Sequence, residues 1–216
     1  MEDHQTLKQI RHLPHSTYIT TLRYLPPLST TPNRHVLTST FNTDTNTPSL
    51  TLNSLNPKPH SQTPSLNPTS SFTPSSRITS LKTSHQQNPL IAAATLTGSV
   101  HILSVAADDL SDAVFESEIS IPEKTIHDGG IGGMDMGESG EGCVSCGEDG
   151  RVNLISVGES GLDYRRVVDG KGLVGYSAVK WASGSEFVTG GFGNLVQWWD
   201  LRRSGGAGLV SQFKGN

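Results

Sequence analysis

His127, Ser145 and Asp149 are the three residue types of a nucleophilic triad, and they stand close together in the chain. A Ser-His-Asp hydrolase presents its serine on a strained strand-to-helix elbow and holds the oxyanion with backbone N–H groups. This sequence has no Gly-x-Ser-x-Gly run, and no oxyanion hole is evident in it. Cys143 and Cys146 form a Cys-x-x-Cys. A structural zinc site takes about four ligands, and no second Cys or His pair stands at ligand spacing. A redox pair belongs at a helix N-terminus, where the dipole lowers the thiol pKa. These cysteines fall in a strand-like segment, so buried packing is expected. Reduced thiols without a disulfide framework suit an intracellular protein. Gly129-Gly130-Ile131-Gly132-Gly133 is neither a G-x-G-x-x-G turn after a strand nor a phosphate loop with its Lys and Ser/Thr. Close packing of an inner strand accounts for it better. Glu138, Glu141, Glu148 and Asp149 fall in loops and read as a solvated rim rather than a metal site. The expectation is no catalytic residue, no cofactor, no metal and no small-molecule substrate.

The elements around these residues are short strands. Cys143–Ser145 and Val152–Val157 flank Glu148-Asp149-Gly150, and Asp-Gly suits a primed two-residue turn. Val152–Val157 is mostly apolar on both faces, as expected of a strand sandwiched between two sheets. The pattern recurs at Leu90–Ala94, Thr97-Gly98 and Ser99–Val105, and again at Glu186–Gly190, Gly193-Asn194 and Leu195–Leu201. Taking Gly98, Gly150 and Asn194 as equivalent, the intervals are 52 residues (98 to 150) and 44 residues (150 to 194). A further strand precedes each unit: Arg77–Lys82, Ile131–Met136 and Tyr176–Trp181. Four strands per unit at a period near roughly 40–45 residues is the signature of an all-β, WD40-type propeller. Trp199-Asp200 supplies the WD dipeptide.

In chain order, Thr6–Ile10 is a candidate N-terminal strand that closes a ring by completing the last blade. The first blade spans about 15–73, with inner strand Tyr18–Tyr24 ended by Pro26-Pro27, then His35–Phe41 and Ser49–Leu55 joined by Asn42–Pro48. Asn56–Ser76 is rich in Pro, Ser and Thr. Such a stretch breaks strand ladders and has little apolar surface to offset ordering. It reads as a mobile loop with a short outer strand near Ser71–Thr73. The second blade spans about 77–121, with an outer strand Val114–Ile121 after the acidic link Asp108–Asp112. The third spans about 127–168 and the fourth about 174–214, with outer strands Tyr164–Val168 and Leu209–Phe213. WD40 rings usually have about seven blades. Four form an open arc with exposed edges, so the chain is expected to be part of a longer protein or to be closed by a partner.

The chain has 216 residues, 17% charged and 33% hydrophobic, with 23 glycines. That composition suits many short strands and turns, not long amphipathic helices. A net charge of −4 with no basic run beyond Arg165-Arg166 and Arg202-Arg203 argues against direct nucleic-acid binding. The N-terminus lacks an apolar signal-peptide core, and no apolar run nears the roughly 18 residues that cross a bilayer, so no membrane insertion is expected.

In WD repeats a His before the inner strand, a Ser or Thr in the next strand, the turn Asp and a Trp in the third strand hydrogen-bond in sequence. His127, Ser145 and Asp149 stand at three of those places, and Ile155 occupies the Trp place. A structural network, not catalysis, is the expectation. Trp198 and Trp199 face opposite sides of an alternating strand, so at least one belongs to the core. Trp198 and Arg202 are the candidate partner-binding residues. GEDGRVNLISV (Gly147–Val157), SAVKW (Ser177–Trp181), the WWDLRR run (Trp198–Arg203), IAAATLTGSVHIL (Ile91–Leu103) and LRYLPPLS (Leu22–Ser29) carry a further resemblance. At repeat level most of the chain resembles the WD-repeat nucleoporins of the Y-shaped outer-ring complex of the nuclear pore, its forty-three-kilodalton member in particular. That resemblance implies a non-enzymatic scaffold of the nuclear envelope, docked on other outer-ring nucleoporins and linked to transport of mRNA and protein. Periodicity alone also fits another WD40 adaptor, such as a ubiquitin-ligase substrate receptor or a chromatin reader. Trp199-Asp200-Leu201-Arg202 keeps the ligase reading open.

Overall fold

The computed structural model describes residues 16–28, 34–56, 65–86, 88–106, 112–138, 140–158, 161–172, 174–203 and 208–215. Every regular element among them is a strand, and the strands form four antiparallel four-stranded sheets. The first sheet holds β1 (Thr17–Tyr24), β2 (Arg34–Asn42), β3 (Thr47–Asn56) and β4 (Ser65–Phe72). The second holds β5 (Ile78–Thr83), β6 (Leu90–Thr95), β7 (Val100–Ala106) and β8 (Val114–Ile121). The third holds β9 (Ile131–Met136), β10 (Gly142–Gly147), β11 (Arg151–Gly158) and β12 (Gly161–Asp169). The fourth holds β13 (Tyr176–Trp181), β14 (Glu186–Gly191), β15 (Leu195–Asp200) and β16 (Gly208–Lys214). Each sheet is a meander in sequence order, the topology of a propeller blade. The candidate strand Thr6–Ile10 lies outside the described residues, as does most of the acidic link, Asp108–Leu110 and Ser111.

The sheets stack face to face in sequence. Leu37, Leu50 and Leu52 of the first meet Leu81, Ile91 and Leu103 of the second. Ala92, Ala94 and Ile102 on the other side of the second meet Ile131, Met134, Cys143 and Ile155 of the third. Val144, Cys146 and Val152 then meet Tyr176, Val179, Phe187 and Trp199 of the fourth. Middle strands are therefore apolar on both faces, and Ile91 to Thr95 of β6 are all buried. Full burial of one such Leu or Ile side chain stabilises by roughly 1.5–3 kcal/mol. The outer strands β4, β8, β12 and β16 are mostly exposed; the first three are rich in Ser, Thr, Glu, Asp and Arg, while β16 exposes Leu209, Val210 and Phe213.

Positive φ marks the turn before the third strand of every sheet: Asn46 (53°), Gly98 (92°) and Gly150 (73°) in the first three, and both Gly193 (79°) and Asn194 (56°) in the fourth. The spacing seen from Gly98 onward extends back to Asn46, inside the longer Asn42–Pro48 connection. The turn chemistry differs from the primed two-residue turn expected at Asp149-Gly150. Gly150 N–H donates to Gly147 O at 3.1 Å, and only Gly150 takes positive φ. Glu148 and Asp149 thus occupy the centre of the turn, and Gly150 is the left-handed residue that returns the chain to β11. A primed turn would need positive φ at Asp149 as well, where Gly is favoured.

The Pro/Ser/Thr-rich stretch departs from the loop reading. Residues 57–64 lie outside the described residues, but Ser65–Phe72 is a full strand paired with β3 from Asn56↔Ser65 to Leu50↔Phe72. Pro68 is accommodated because β4 is an outermost strand and its partner Asn53 sits at a register shift, where a ladder N–H is dispensable. Thr69 Oγ1 donates to Ala113 O at 2.6 Å and Phe115 N–H to Ser70 Oγ at 3.2 Å, which ties this strand to the second sheet. The outer strand therefore runs well beyond Ser71–Thr73.

Candidate functional site

The turn between β10 and β11 gathers the candidate residues. His127 precedes β9, Ser145 lies on β10 and Asp149 lies in the turn. His127 Nδ1 is 3.0 Å from Asp149 Oδ1, and His127 Nε2 is 3.0 Å from Ser145 Oγ. Asp149 also accepts the backbone N–H groups of Asp128 (2.8 Å) and Arg151 (3.1 Å). Burial pushes the Asp149 carboxyl up, but the hydrogen bonds from the His127 ring and these backbone donors outweigh it and bring the group down to about 2. The carboxylate is therefore ionised at neutral pH and accepts a hydrogen bond from the His127 Nδ1–H.

Ile155 does not complete this set. It packs in the core between the second and third sheets, opposite Cys143. Asn153 lies directly across from Ser145, and its Nδ2 reaches both Ile126 O and His127 Nε2 at 3.1 Å. Cross-strand pairing through the Gly147–Gly150 turn is the signal that finds Asn153, because residues opposite each other share a face. Gly147 is required beside them: a Cβ there would lie 2.6 Å from His127 Nδ1 and 2.8 Å from Asp149 Oδ1. His127 and Ser145 have no exposed surface at all. Arg151 caps the group, 2.6 Å from Asp128.

The other chemistry-bearing residues separate. Cys143 and Cys146 point to opposite faces of β10, one into each adjoining core. Burial drives both thiols up to about 12. Gly132 and Gly133 lie against the backbone of β13, where a Cβ would meet Tyr176 O at 2.5 Å and Ala178 Cα at 2.9 Å. The acidic group divides: Glu148 is exposed at the turn, Asp149 is half-buried, and Glu138 and Glu141 are exposed at the opposite end of β10.

No protein-family model matches the chain. It is 42% identical, over its whole length, to the nuclear pore complex protein NUP43 of Arabidopsis thaliana, and spans 61% of that relative's length. A second comparison bears on the fold alone: the crystal structure of Chaetomium thermophilum Raptor matches 94% of this chain at a TM-score of 0.62, with 12% identity and 17% of that chain covered.

The first and fourth sheets present their outward faces differently. Trp199 is buried, stacked on Phe187 at 6.2 Å, with its Nε1–H donated to Thr189 Oγ1 at 2.9 Å. Trp198, one residue earlier, faces away from that core and is 37% exposed. Val196 and Phe213, paired across β15 and β16, are exposed as well. Arg202 donates to Asp200 at 2.8 and 2.9 Å and also pairs with Glu186, so its guanidinium is committed within its own sheet. On the first sheet Ile19, Leu22 and Tyr24 are exposed.

Proposed function

We propose that this chain is a non-enzymatic scaffold subunit of the nuclear pore complex at the nuclear envelope. It joins other outer-ring nucleoporins of the Y-shaped complex through protein–protein contacts, and so supports pore assembly and the transport of mRNA and protein. The identity of 42% across the whole chain to a nuclear pore protein carries this reading. The His127–Ser145–Asp149–Asn153 group serves as a structural clamp in it, since a wholly buried Ser Oγ offers no approach to a substrate. Four blades, spanning about 15–73, 77–121, 127–168 and 174–214, present the docking surface. Trp198 is its anchor, with Arg202 at its side already paired to Asp200 and Glu186.

Affinity capture of the tagged protein from nuclear envelopes tests the reading. Recovery of outer-ring nucleoporins, reduced by Trp198→Ala, supports it. Recovery of cullin adaptors or histones in their place would replace it with a ligase or chromatin adaptor.

A further inference from the structure

The outermost strand of a sheet leaves one row of backbone groups unpaired, a template for a further strand unless something blocks it. The four outer strands differ in that respect. β4 carries Pro68, and Thr69 and Ser70 tie it to the second sheet. β8 carries Glu116 and Glu118, and β12 carries Asp163, Arg165 and Arg166. β16 reads GLVSQFK, with no proline, no carboxylate and one charge, Lys214, at its end. A register shift marks all four outer pairings, so it does not set β16 apart. Among the described residues β16 pairs with β15 alone. Gly215 N–H donates to Asn194 O at 2.9 Å, on the β15 side. Backbone groups alternate sides along an antiparallel strand, so those of Gln212 and Lys214 face the open edge.

Side chains beside that edge are apolar in the middle and cationic at the ends. Ser211 lies across from Trp198, and Phe213 across from Val196; Trp198, Val196 and Phe213 are all exposed. Arg203 lies against Gly208 at the start of β16, with Nη1 donating to Leu209 O at 3.2 Å. The carboxylates of this sheet nearest by, Glu186 and Asp200, belong to β14 and β15, and Arg202 holds both.

We propose that β16 accepts an added strand from another protein, an extended segment with apolar residues at alternate central positions and Asp or Glu at both ends. Backbone bonds to Gln212 and Lys214 hold it in register. Its residue beside Ser211 reaches over that small side chain to Trp198 and lies against Phe213. Its terminal carboxylates meet Arg203 and Lys214. A second copy of β16 has no carboxylate to offer and would bring Arg203 and Lys214 of both copies to one edge. This mode rests on the docking role given to Trp198, but not on the pore as the source of the partner.

The test is fluorescence polarisation with purified protein and three labelled peptides. They are Gly-Asp-Val-Thr-Ile-Thr-Val-Asp-Gly, the same sequence with Lys for Asp, and the same sequence with Pro for Thr. The Asp peptide should bind about tenfold more tightly than the Lys peptide, and more weakly as salt rises. The chain carries a net charge of −4, so attraction by its overall charge would give the opposite order. The Pro peptide keeps the charge and apolar content but loses two N–H donors, and should not bind. Lys214→Glu should abolish the preference for Asp over Lys. Gln212→Pro gives β16 the block that Pro68 gives β4, and should abolish binding. Phe213→Ser, at a side chain 62% exposed, should weaken it about tenfold with the melting temperature unchanged. Equal binding of the Asp and Lys peptides, full binding of the Pro peptide, or full binding by Phe213→Ser would overturn the proposal. Absent peptide binding with Trp198-dependent capture intact would overturn the added strand alone. Peptide binding without outer-ring capture would uphold it and remove the pore reading.

Discussion

Asp135→Ala should lower stability by about 2–3 kcal/mol. Asp135 is 2% exposed and lies on β9, between the inner strands of its two neighbouring sheets. Its carboxylate accepts Lys82 Nζ from β5 at 3.2 Å and, from β13, Lys180 Nζ at 3.0 Å and the Trp181 N–H at 3.0 Å. Loss of the acceptor leaves the Trp181 N–H unpaired, which costs about 1–3 kcal/mol. Breaking a fully buried ion pair costs about 3–5 kcal/mol, because a charge is stranded in low dielectric. That figure does not apply in full here. The Lys82 side chain is 27% exposed and that of Lys180 is 73% exposed, so both ammonium groups regain water. Asp135→Asn retains an acceptor for Trp181 and should lose only about 1 kcal/mol. A double-mutant cycle should show about 1 kcal/mol of coupling between Asp135 and Lys82, and less between Asp135 and Lys180. Urea unfolding at constant m-value measures each difference. An Asp135→Ala change of a few tenths of a kcal/mol, or a larger coupling to Lys180 than to Lys82, would refute the reasoning.

Asp149→Ala removes the acceptor for His127 and for two backbone N–H groups, and should destabilise by about 1–3 kcal/mol in denaturant unfolding. Because Asp149 titrates near 2 in the fold against 3.8 otherwise, its contribution is complete above pH 3.8 and lost as pH falls toward 2; the variant should flatten that part of the acid limb. Burial lowers the pKa of His35 below 6.5, with partial opposition from the Asp112 charge, and neither ring nitrogen has a hydrogen-bond partner among the described residues. The unfolded chain then takes up the proton first, so stability should fall as pH drops below 6.5, and His35→Leu should reduce that slope in melts between about pH 5 and 7. Gly132→Ala should destabilise by about 1–3 kcal/mol by forcing β9 and β13 apart, whereas Gly184→Ala, with open space around it, should not register. The Cys143 and Cys146 thiols should react with a disulfide reagent at pH 8 no faster than the protein opens.

Strand existence and order were legible because each middle strand is a short apolar run closed by a residue that accepts positive φ. The inner strands Tyr18–Tyr24, Ile131–Met136 and Tyr176–Trp181 lie within a residue of the observed β1, β9 and β13. Proline density alone points to a loop around Ser65–Phe72, because composition does not reveal a strand's position in its sheet. An outermost strand tolerates Pro68, and hydroxyls that look like loop residues are there the bonds to Ala113 and Phe115. Asn153 was missed for another reason. A repeat template assigns the fourth network place by offset along the strand, while the hydrogen bond is set by which residue lies across from Ser145.

Asp135 shows what periodicity hides. Arg23, Lys82, Asp135 and Lys180 occupy corresponding places near the ends of the four inner strands, yet each seam between sheets is closed differently. Between the first and second, Arg23 Nε donates to Leu81 O at 2.9 Å. Between the second and third, Thr79 Oγ1 donates to Ile131 O at 2.6 Å and Ser80 Oγ to Met134 O at 3.2 Å, with the Lys82–Asp135 pair beside them. Between the third and fourth, glycine at 132 and 133 lets the backbones touch, and Asp135 holds the Trp181 N–H. Apolar contact alone is non-directional and would let neighbouring sheets slide. Directional bonds near the inner strands remove that freedom, while the His127 clamp fixes the turn at the other end of β10. The clamp joins the connection before β9 to β10, β11 and their turn, so it stiffens the third sheet itself, while the seam bonds from β5 and β13 set where that sheet sits against its neighbours.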